Sequence, residues 1–483
     1  MAIHLFWGHP AATIFIGEAP GPMKADTISK PDIADLEEVF SGELILPADQ
    51  MYDTIRQVHN GMIDRRPALI ARCGGTADVV DAIAFGQAHG LEIAIRGGGH
   101  NVAGRAVCEG GLMLDLSLMK GIWVDPGTRR ARAQAGVNWG EFNRATQLHG
   151  LATTGGAVGS TGIAGLTLGG GFGYLMGRHG YTIDNLVSAE VVTAGGEVLT
   201  ASQTENPDLF WGLRGGGGNF GVVTQFEYAL HPVGPEIAGG LIAFDQENTA
   251  DVLDYAAELK NTSDDDFTAV CSLTHAPDGS GRKLAAMLVS HFGEKQTAAK
   301  TLDGIRSIAP AEIDQLGAIS YCKLNQLLDP GFPKSALNYW KSVFVGSLNE
   351  RVKNILREQF SACPSMMSKL IVECPHGAAL RRDPADTAFP HRSAGFSILI
   401  LGQWMQQEET EKNVFWVRET YDRLKVESTS GAYGNYLAED ELSSRIGEAF
   451  GENLPRLRAL KDKYDPSNVF HLNQNIQPTA AAS

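Results

Sequence analysis

The chain has 483 residues, of which 56 are Gly and 21 Pro, with 43% apolar and 20% charged residues. That composition can bury a large core and excludes a disordered or fibrous chain, while glycine at about 12% stands well above the usual ~7% and is localised. Forty basic against 56 acidic side chains give a net charge of −16, which argues against nucleic acid or an anionic membrane surface as partner and leaves a small ligand, or an anion held by backbone N–H groups.

Residues 1–30 are left unassigned: the stretch is mildly apolar but has no basic n-region and is interrupted by His9 and Pro10, so it does not read as a secretory signal, and Met23 is an alternative start. No run approaches the roughly 18 apolar residues of a membrane span. The six cysteines, Cys73, Cys108, Cys271, Cys322, Cys363 and Cys374, form no CxxC pair and no Cys/His metal-ligand spacing. They read as free thiols of a reducing compartment, which predicts a cytoplasmic protein without a bound metal.

From residue 66 the pattern alternates. Leu69-Ile70-Ala71 predicts a strand; Thr76 to His89 predicts a helix with Val79, Val80, Ile83 and Ala84 on one face, Thr76 as cap and Gly90 as stop; Leu91, Ile93 and Ile95 predict another strand, and Leu112, Leu114 and Leu116 a third. A helix over Trp139 to Leu148 carries Asn138 and Glu141 at capping-box spacing. Ten of the 26 residues from 150 to 175 are Gly, and the rest include Val158, Leu166, Leu168 and Phe172 but no charge. This is an ordered wall of main chain, unlike a polar linker. A hairpin turning at Gly195-Gly196 and a strand Val222 to Tyr228 follow.

Between 236 and 425 strand-like runs (Leu284 to His291, Ser397 to Leu401) mix with helical ones (Thr249 to Leu259, Glu411 to Leu424). The tail is helical from Glu452 to Tyr464, stops at Asp465-Pro466 and ends in HLNQNI, polar residues that require partners.

Two glycine clusters bear on chemistry. Arg96-Gly97-Gly98-Gly99-His100-Asn101 follows a strand, where consecutive glycines let N–H groups converge on an anion such as a pyrophosphate and Arg96 adds charge; the 155–173 wall supplies the opposite side. Gly216-Gly217-Gly218-Asn219-Phe220-Gly221 matches GxGxxG, but a helix precedes it and a strand follows, the reverse of a nicotinamide-binding fingerprint.

The blocks RGGGHNVAG, TTGGAVGSTGIAGLTLGGGFGYLMGRHGYTIDNL, NPDLFWGLRGGGGNFGVVTQFEY, YGNY and YDPSNVFHLNQNI together resemble the berberine-bridge-enzyme-like branch of the vanillyl-alcohol-oxidase flavoproteins, its bacterial members most of all. The likeness covers roughly 66–230 and 430–478. It implies an α+β chain: a PCMH-type, two-subdomain FAD-binding domain (31–235), a substrate domain of antiparallel sheet backed by helices (236–425), and a C-terminal segment (426–483) returning to the flavin domain. It implies FAD against Arg96, Gly97, Gly98, Gly99, His100, Asn101, Gly104, Val158, Thr161, Gly162, Gly165, Gly171, Gly173, Val222, Asn473 and Asn475, with one covalent bond from His100 to the flavin 8α-methyl. Many relatives add a second bond from a cysteine; Val158 stands at that place, so a single link is expected.

The resemblance further implies an oxidase that takes a hydride from an alcohol or amine C–H and passes the electrons to oxygen; a dehydrogenase with another acceptor, or a flavin protein with degenerate catalysis, are the alternatives. Val102, Leu166 and Leu399 replace polar residues of plant-type members, which points to a small, fairly apolar or heterocyclic substrate. The catalytic candidates are Tyr433, Lys369 and Glu373. On a strand Tyr433 and Asn435 would share a face, as would Lys369, Ile371 and Glu373. Tyr433 reads either as a base, its phenolate favoured by Lys369, or a hydrogen-bond donor at the pocket, or as interface packing with Tyr436, and Lys369 and Glu373 read either as site residues or as a solvated sheet face. His391-Arg392 and Trp404 read as structural.

Overall fold

The computed structural model describes residues 28–479 other than 263, 394, 430, 442 and 443; residues 1–27, most of the unassigned N-terminal stretch, lie outside it. Near the N-terminus a four-stranded sheet runs in the order Glu43–Ile45, Leu69–Arg72, Leu112–Asp115, Ile93–Arg96, its last three strands parallel. The helix Thr76–Ala88 provides the crossover between two of them and buries Val79, Ala82 and Ile83. The helix is capped at Gly75 without any side-chain bond, and Thr76 instead donates its hydroxyl to Glu190 Oε1 at 2.7 Å. Glu190 lies in a second, five-stranded antiparallel sheet ordered Ile122–Asp125, Arg130–Gln134, Val222–Ala229, Leu186–Val192, Val198–Ser202. Thr76 therefore ties its helix to the second sheet in place of capping.

The capping box at Asn138 and Glu141 is present on the helix Trp139–Gln147. The glycine wall that follows contains a short helix, Ile163–Leu168. Between residues 207 and 229 the order is helix Pro207–Leu213, glycine loop, strand Val222–Ala229, so the loop faces no helix N-terminus.

The middle of the chain builds one antiparallel sheet, ordered Ala311–Asp314, Glu236–Asp245, Lys283–His291, Phe267–His275, Lys369–Glu373, Phe396–Trp404, Leu337–Val345, with Gly317–Ser320 beside the second strand. Helices Thr249–Thr262, Lys295–Arg306, Glu350–Ser361 and Thr410–Lys425 cover one face through a shared core of Val252, Leu302, Leu356 and Val417 with Ile398 and Ile400. Trp404 is wholly buried. The other face carries Trp340, Leu399 and Leu401 and packs with Val102 from the first half of the chain. Strand alternation makes both faces possible, and hence the strands read as continuous apolar runs.

The tail returns to the first half. Lys461, buried on helix Leu454–Tyr464, donates to Asp465 Oδ2 at 2.6 Å, Asn219 O at 2.9 Å and Phe470 O at 3.0 Å. Asn219 in turn donates to Gln474 O at 3.1 Å and accepts from Ile476 N–H at 2.9 Å. The main chain of the tail is thus tied to the 216–221 glycine string, while the side chains of His471 and Gln474 bond to Glu92 and Gly434 O. Arg392 makes a two-pronged pair with Asp184, at 2.7 and 2.9 Å, and His391 Nε2 lies 3.0 Å from Ala449 O, so both brace chain segments far apart in sequence.

Candidate active site

A cavity of about 240 Å³ opens between the glycine loops and the uncovered face of the large sheet. One side is main chain: Gly97, Gly98 and Gly99 from the loop after strand Ile93–Arg96, and Gly162, Gly165 and Gly173 from the wall. The two loops touch backbone to backbone, since a Cβ on Gly98 would lie 2.5 Å from Gly162 N, and the wall closes on itself as tightly, since one on Gly173 would lie 2.0 Å from Gly155 O. Only glycine permits these approaches. No Lys or Arg lines the cavity among the described residues, so an anion there would be met by backbone N–H groups and neutral side-chain donors such as Thr161 and Asn101. His100, Asn101, Val158 and Thr161 complete this side.

The opposite side is the sheet: Trp340, Ile371, Leu399 and Glu373, with Phe332, Tyr433 and Tyr436 from connecting segments. Apolar surface dominates it. Glu373 is the one carboxyl among the described lining residues, and it is 8% exposed. Ser397, its directly opposed partner in sheet register, donates to Oε2 at 2.8 Å, and Tyr436 donates to Oε1 at 2.8 Å. Burial nonetheless dominates and pushes the carboxyl up to about 7, against the lowering effect of the two hydrogen bonds. The solvated-face reading of Glu373 is therefore overturned.

Lys369, two residues from Ile371 on the same strand, is half-buried and does not stand on an open solvated face. Its Nζ donates to Gly331 O at 2.9 Å and sits 4.7 Å from the Phe332 ring centre, without a carboxylate partner, and burial lowers it to about 8. It does not line the cavity but holds the segment that does.

Tyr433 is not on a strand. It precedes the 3-10 turn Gly434–Tyr436, its ring stacks on Phe172 with centroids 4.4 Å apart and planes at 4°, and its hydroxyl oxygen accepts from Gly171 N–H at 3.1 Å and Asn435 Nδ2 at 3.0 Å. Burial raises its pKa, and no effect of Lys369 is among the causes. The two N–H donors favour the phenolate, but burial outweighs them and no cation assists, so the neutral hydroxyl is the form held here and its proton is left to donate.

Several residues expected at the cofactor lie behind the cavity wall. Arg96 does not point at an anion; its Nε and Nη2 are bound to the fully buried Asp115 at 2.9 and 2.5 Å, and Nη1 donates to Ile55 O. Gly104 has φ +69 against Ile63, and Gly171 has φ +87 against Thr182, conformations that favour glycine. Val222 is buried in the five-stranded sheet. Asn473 donates to Gly218 O at 3.1 Å and Phe470 O at 3.0 Å, while the buried Oδ1 atoms of Asn473 and Asn475 have no partner. Sequence reasoning missed His59, whose ring lies on that of His100 behind the cavity wall, and Trp340 and Phe332, which line the cavity; none belongs to a repeated residue pattern, and all reach their places through tertiary packing.

The cradle fits a flavin nucleotide: a main-chain surface free of side chains for an anionic chain, an apolar slot beside it, and His100 at their junction. All six cysteines are free and none lines the cavity among the described residues.

Comparison with known proteins agrees with that fit. The family described as "FAD binding domain" matches residues 67–202, and the family "Berberine and berberine like" matches 432–477. The chain is 30% identical over 462 residues to (R)-6-hydroxynicotine oxidase of Paenarthrobacter nicotinovorans, covering 91% of this chain and 97% of that one. Among solved structures, 6-hydroxy-D-nicotine oxidase from Arthrobacter nicotinovorans superposes with TM-score 0.82 at 30% identity, covering 91% and 98% of the two chains. Berberine bridge enzyme from Eschscholzia californica has the same fold, with TM-score 0.83 at 21% identity over 93% and 99%.

Proposed function

The chain belongs to the berberine-bridge-like FAD-linked oxidoreductases, and on that footing we propose that it oxidises a small, fairly apolar or heterocyclic alcohol or amine, with oxygen as the acceptor and a single covalent flavin on His100. The observation that carries this reading is the position of Glu373: one hydrogen-bonded carboxyl facing the glycine cradle across an otherwise apolar slot.

When bound, FAD supplies a two-electron acceptor for the C–H bond to be broken. Gly97 to Gly99 and Gly162 would offer main-chain N–H groups to its phosphates, and Thr161, Gly165 and Val158 border the same cavity. Trp340, Ile371 and Leu399 exclude water and select an apolar substrate body. Glu373 takes the proton that an alcohol hydroxyl or an ammonium must lose, since its carboxyl is poised near neutrality and a base works best with a pKa close to the working pH. Tyr436 and Ser397 hold that carboxylate in place by donating to both its oxygens. Tyr433 donates into the cavity and orients the substrate. Val158 and the absence of a lining cysteine among the described residues support one link.

An aerobic screen for hydrogen peroxide across secondary alcohols, cyclic amines and sugars tests the reading. Peroxide from an apolar alcohol or a cyclic amine, and none from sugars, is expected; turnover confined to sugars, or flavin bleaching with no peroxide in air, would refute the substrate class or the acceptor respectively.

A further inference from the structure

His59 lies in neither glycine loop nor sheet, yet its ring lies flat on that of His100, with centroids 3.9 Å apart and planes at 16°. The segment that carries it is braced on both sides of the cavity. His59 N–H donates to Gly99 O at 2.9 Å. Asn60 Nδ2 donates to Val102 O at 2.8 Å and Asn338 O at 2.9 Å, and its Oδ1 accepts from Asn338 N–H at 2.9 Å. His59 is 8% exposed, and its buried Nε2 has no hydrogen-bond partner among the described residues. An unpaired buried nitrogen is destabilising, so packing alone would favour an apolar ring here.

We infer that His59 is a positioning residue that holds the His100 ring flat and uncharged for its attachment to the flavin, an inference resting on the reading that His100 carries the covalent link. Attachment forms a bond from the lone pair of one imidazole nitrogen to the flavin 8α carbon. One C–H bond of that methyl and the N–H bond of the imidazole's other nitrogen break, and dioxygen takes the two electrons and two protons as hydrogen peroxide. Only a neutral imidazole has the lone pair. A face-to-face neighbour leaves both in-plane nitrogens of His100 reachable, Ser160 Oγ at 3.4 Å from Nε2 being the side-chain contact there. The same neighbour opposes protonation, because a proton on either ring repels one on the other. Burial, aided for His59 by the Lys334 cation and for His100 by His59 itself, holds them down at about 4 and about 3.

The test compares holoprotein of wild type, His59→Ala and His59→Phe purified in air, measuring total flavin, the fraction retained after acid precipitation, and the thermal midpoint. The expected result is a several-fold drop in the covalent fraction of His59→Ala with flavin still bound under native conditions, and recovery in His59→Phe, which stacks without titrating. Should His59→Ala not fold, His59→Gln carries the comparison. Loss of total flavin and of thermal midpoint with an unchanged covalent-to-total ratio would mark a merely structural role and overturn the inference, as would a His59→Ala ratio equal to wild type. Wild-type protein that releases all its flavin in acid would instead overturn the covalent reading beneath it.

Discussion

Tyr436 donates a 2.8 Å hydrogen bond to Glu373 Oε1 inside the cavity, joining the turn Gly434–Tyr436 to the strand Lys369–Glu373. The contact fixes a carboxyl that burial keeps near neutrality, on the sheet face opposite the glycine loops. It shifts the expected base from Tyr433 to Glu373.

That shift has a pH signature. A base must be deprotonated to work, so kcat/KM should rise with pH through about 7, the Glu373 pKa, and flatten above it. In Glu373→Gln this limb should vanish. A profile flat from pH 5 to 9 in the wild type, roughly the range over which such a carboxyl would titrate, would remove Glu373 from the proton transfer.

The same carboxyl affects stability. Its pKa is raised on folding, from 4.5 to about 7, so the folded state binds a proton that the unfolded state has lost, and stability falls as pH rises between those values. Glu373→Gln removes this penalty. At pH 8 the variant should be more stable than wild type by up to about 3 kcal/mol, and near pH 4 the two should differ little, as read from denaturant midpoints.

Tyr433→Phe should change the rate of flavin reduction by less than about tenfold and leave the pH profile unmoved, because the residue contributes a neutral hydroxyl for positioning. The Phe172 stack survives the substitution. A loss of about 10²-fold or more in stopped-flow reduction would restore Tyr433 as a base.

Arg96 and Asp115 can be separated from cofactor binding. Removing Arg96 alone takes away the two-pronged partner of the buried Asp115 and leaves it Arg72 at 3.3 Å and the Ser117 donors, which should cost about 1.5–3 kcal/mol, whereas Arg96→Leu with Asp115→Leu should recover part of it. The double variant should still bind flavin. Restored stability with the flavin lost would show that Arg96 serves the cofactor.

The glycine loops were legible in the sequence because main-chain contact demands glycine locally: a Cβ on Gly98 would lie 2.5 Å from Gly162, too close for any other residue type. The paired strands and the Asn138 capping box were legible for the same reason, since alternation and capping act within a few residues. Tyr433 was misplaced because YGNY offers an alternating pattern too short to distinguish a strand from a turn. Glu373 and Lys369 were ambiguous since strand periodicity says which residues share a face but not what covers it. Arg96 looked like an anion ligand from its neighbours in the chain, while its partner Asp115 is 19 residues away. His59 and Phe332 depend wholly on packing between segments distant in sequence.

Gly98→Ala tests the cradle. Its Cβ would strike Gly162, and the protein should purify with far less flavin and a lower thermal midpoint, the usual cost of such overpacking being about 1–3 kcal/mol. Full flavin content in this variant would mean that the loops do not hold the cofactor.

The most direct test is anaerobic stopped-flow bleaching of the flavin by an apolar alcohol or cyclic amine found in the peroxide screen, in wild type and Glu373→Gln. Rapid bleaching in wild type, slowed by about 10²-fold or more in Glu373→Gln at pH 8 with flavin content unchanged, is the predicted result. Equal rates in the two proteins, or a wild-type flavin that no such substrate bleaches although a chemical reductant does, would contradict it.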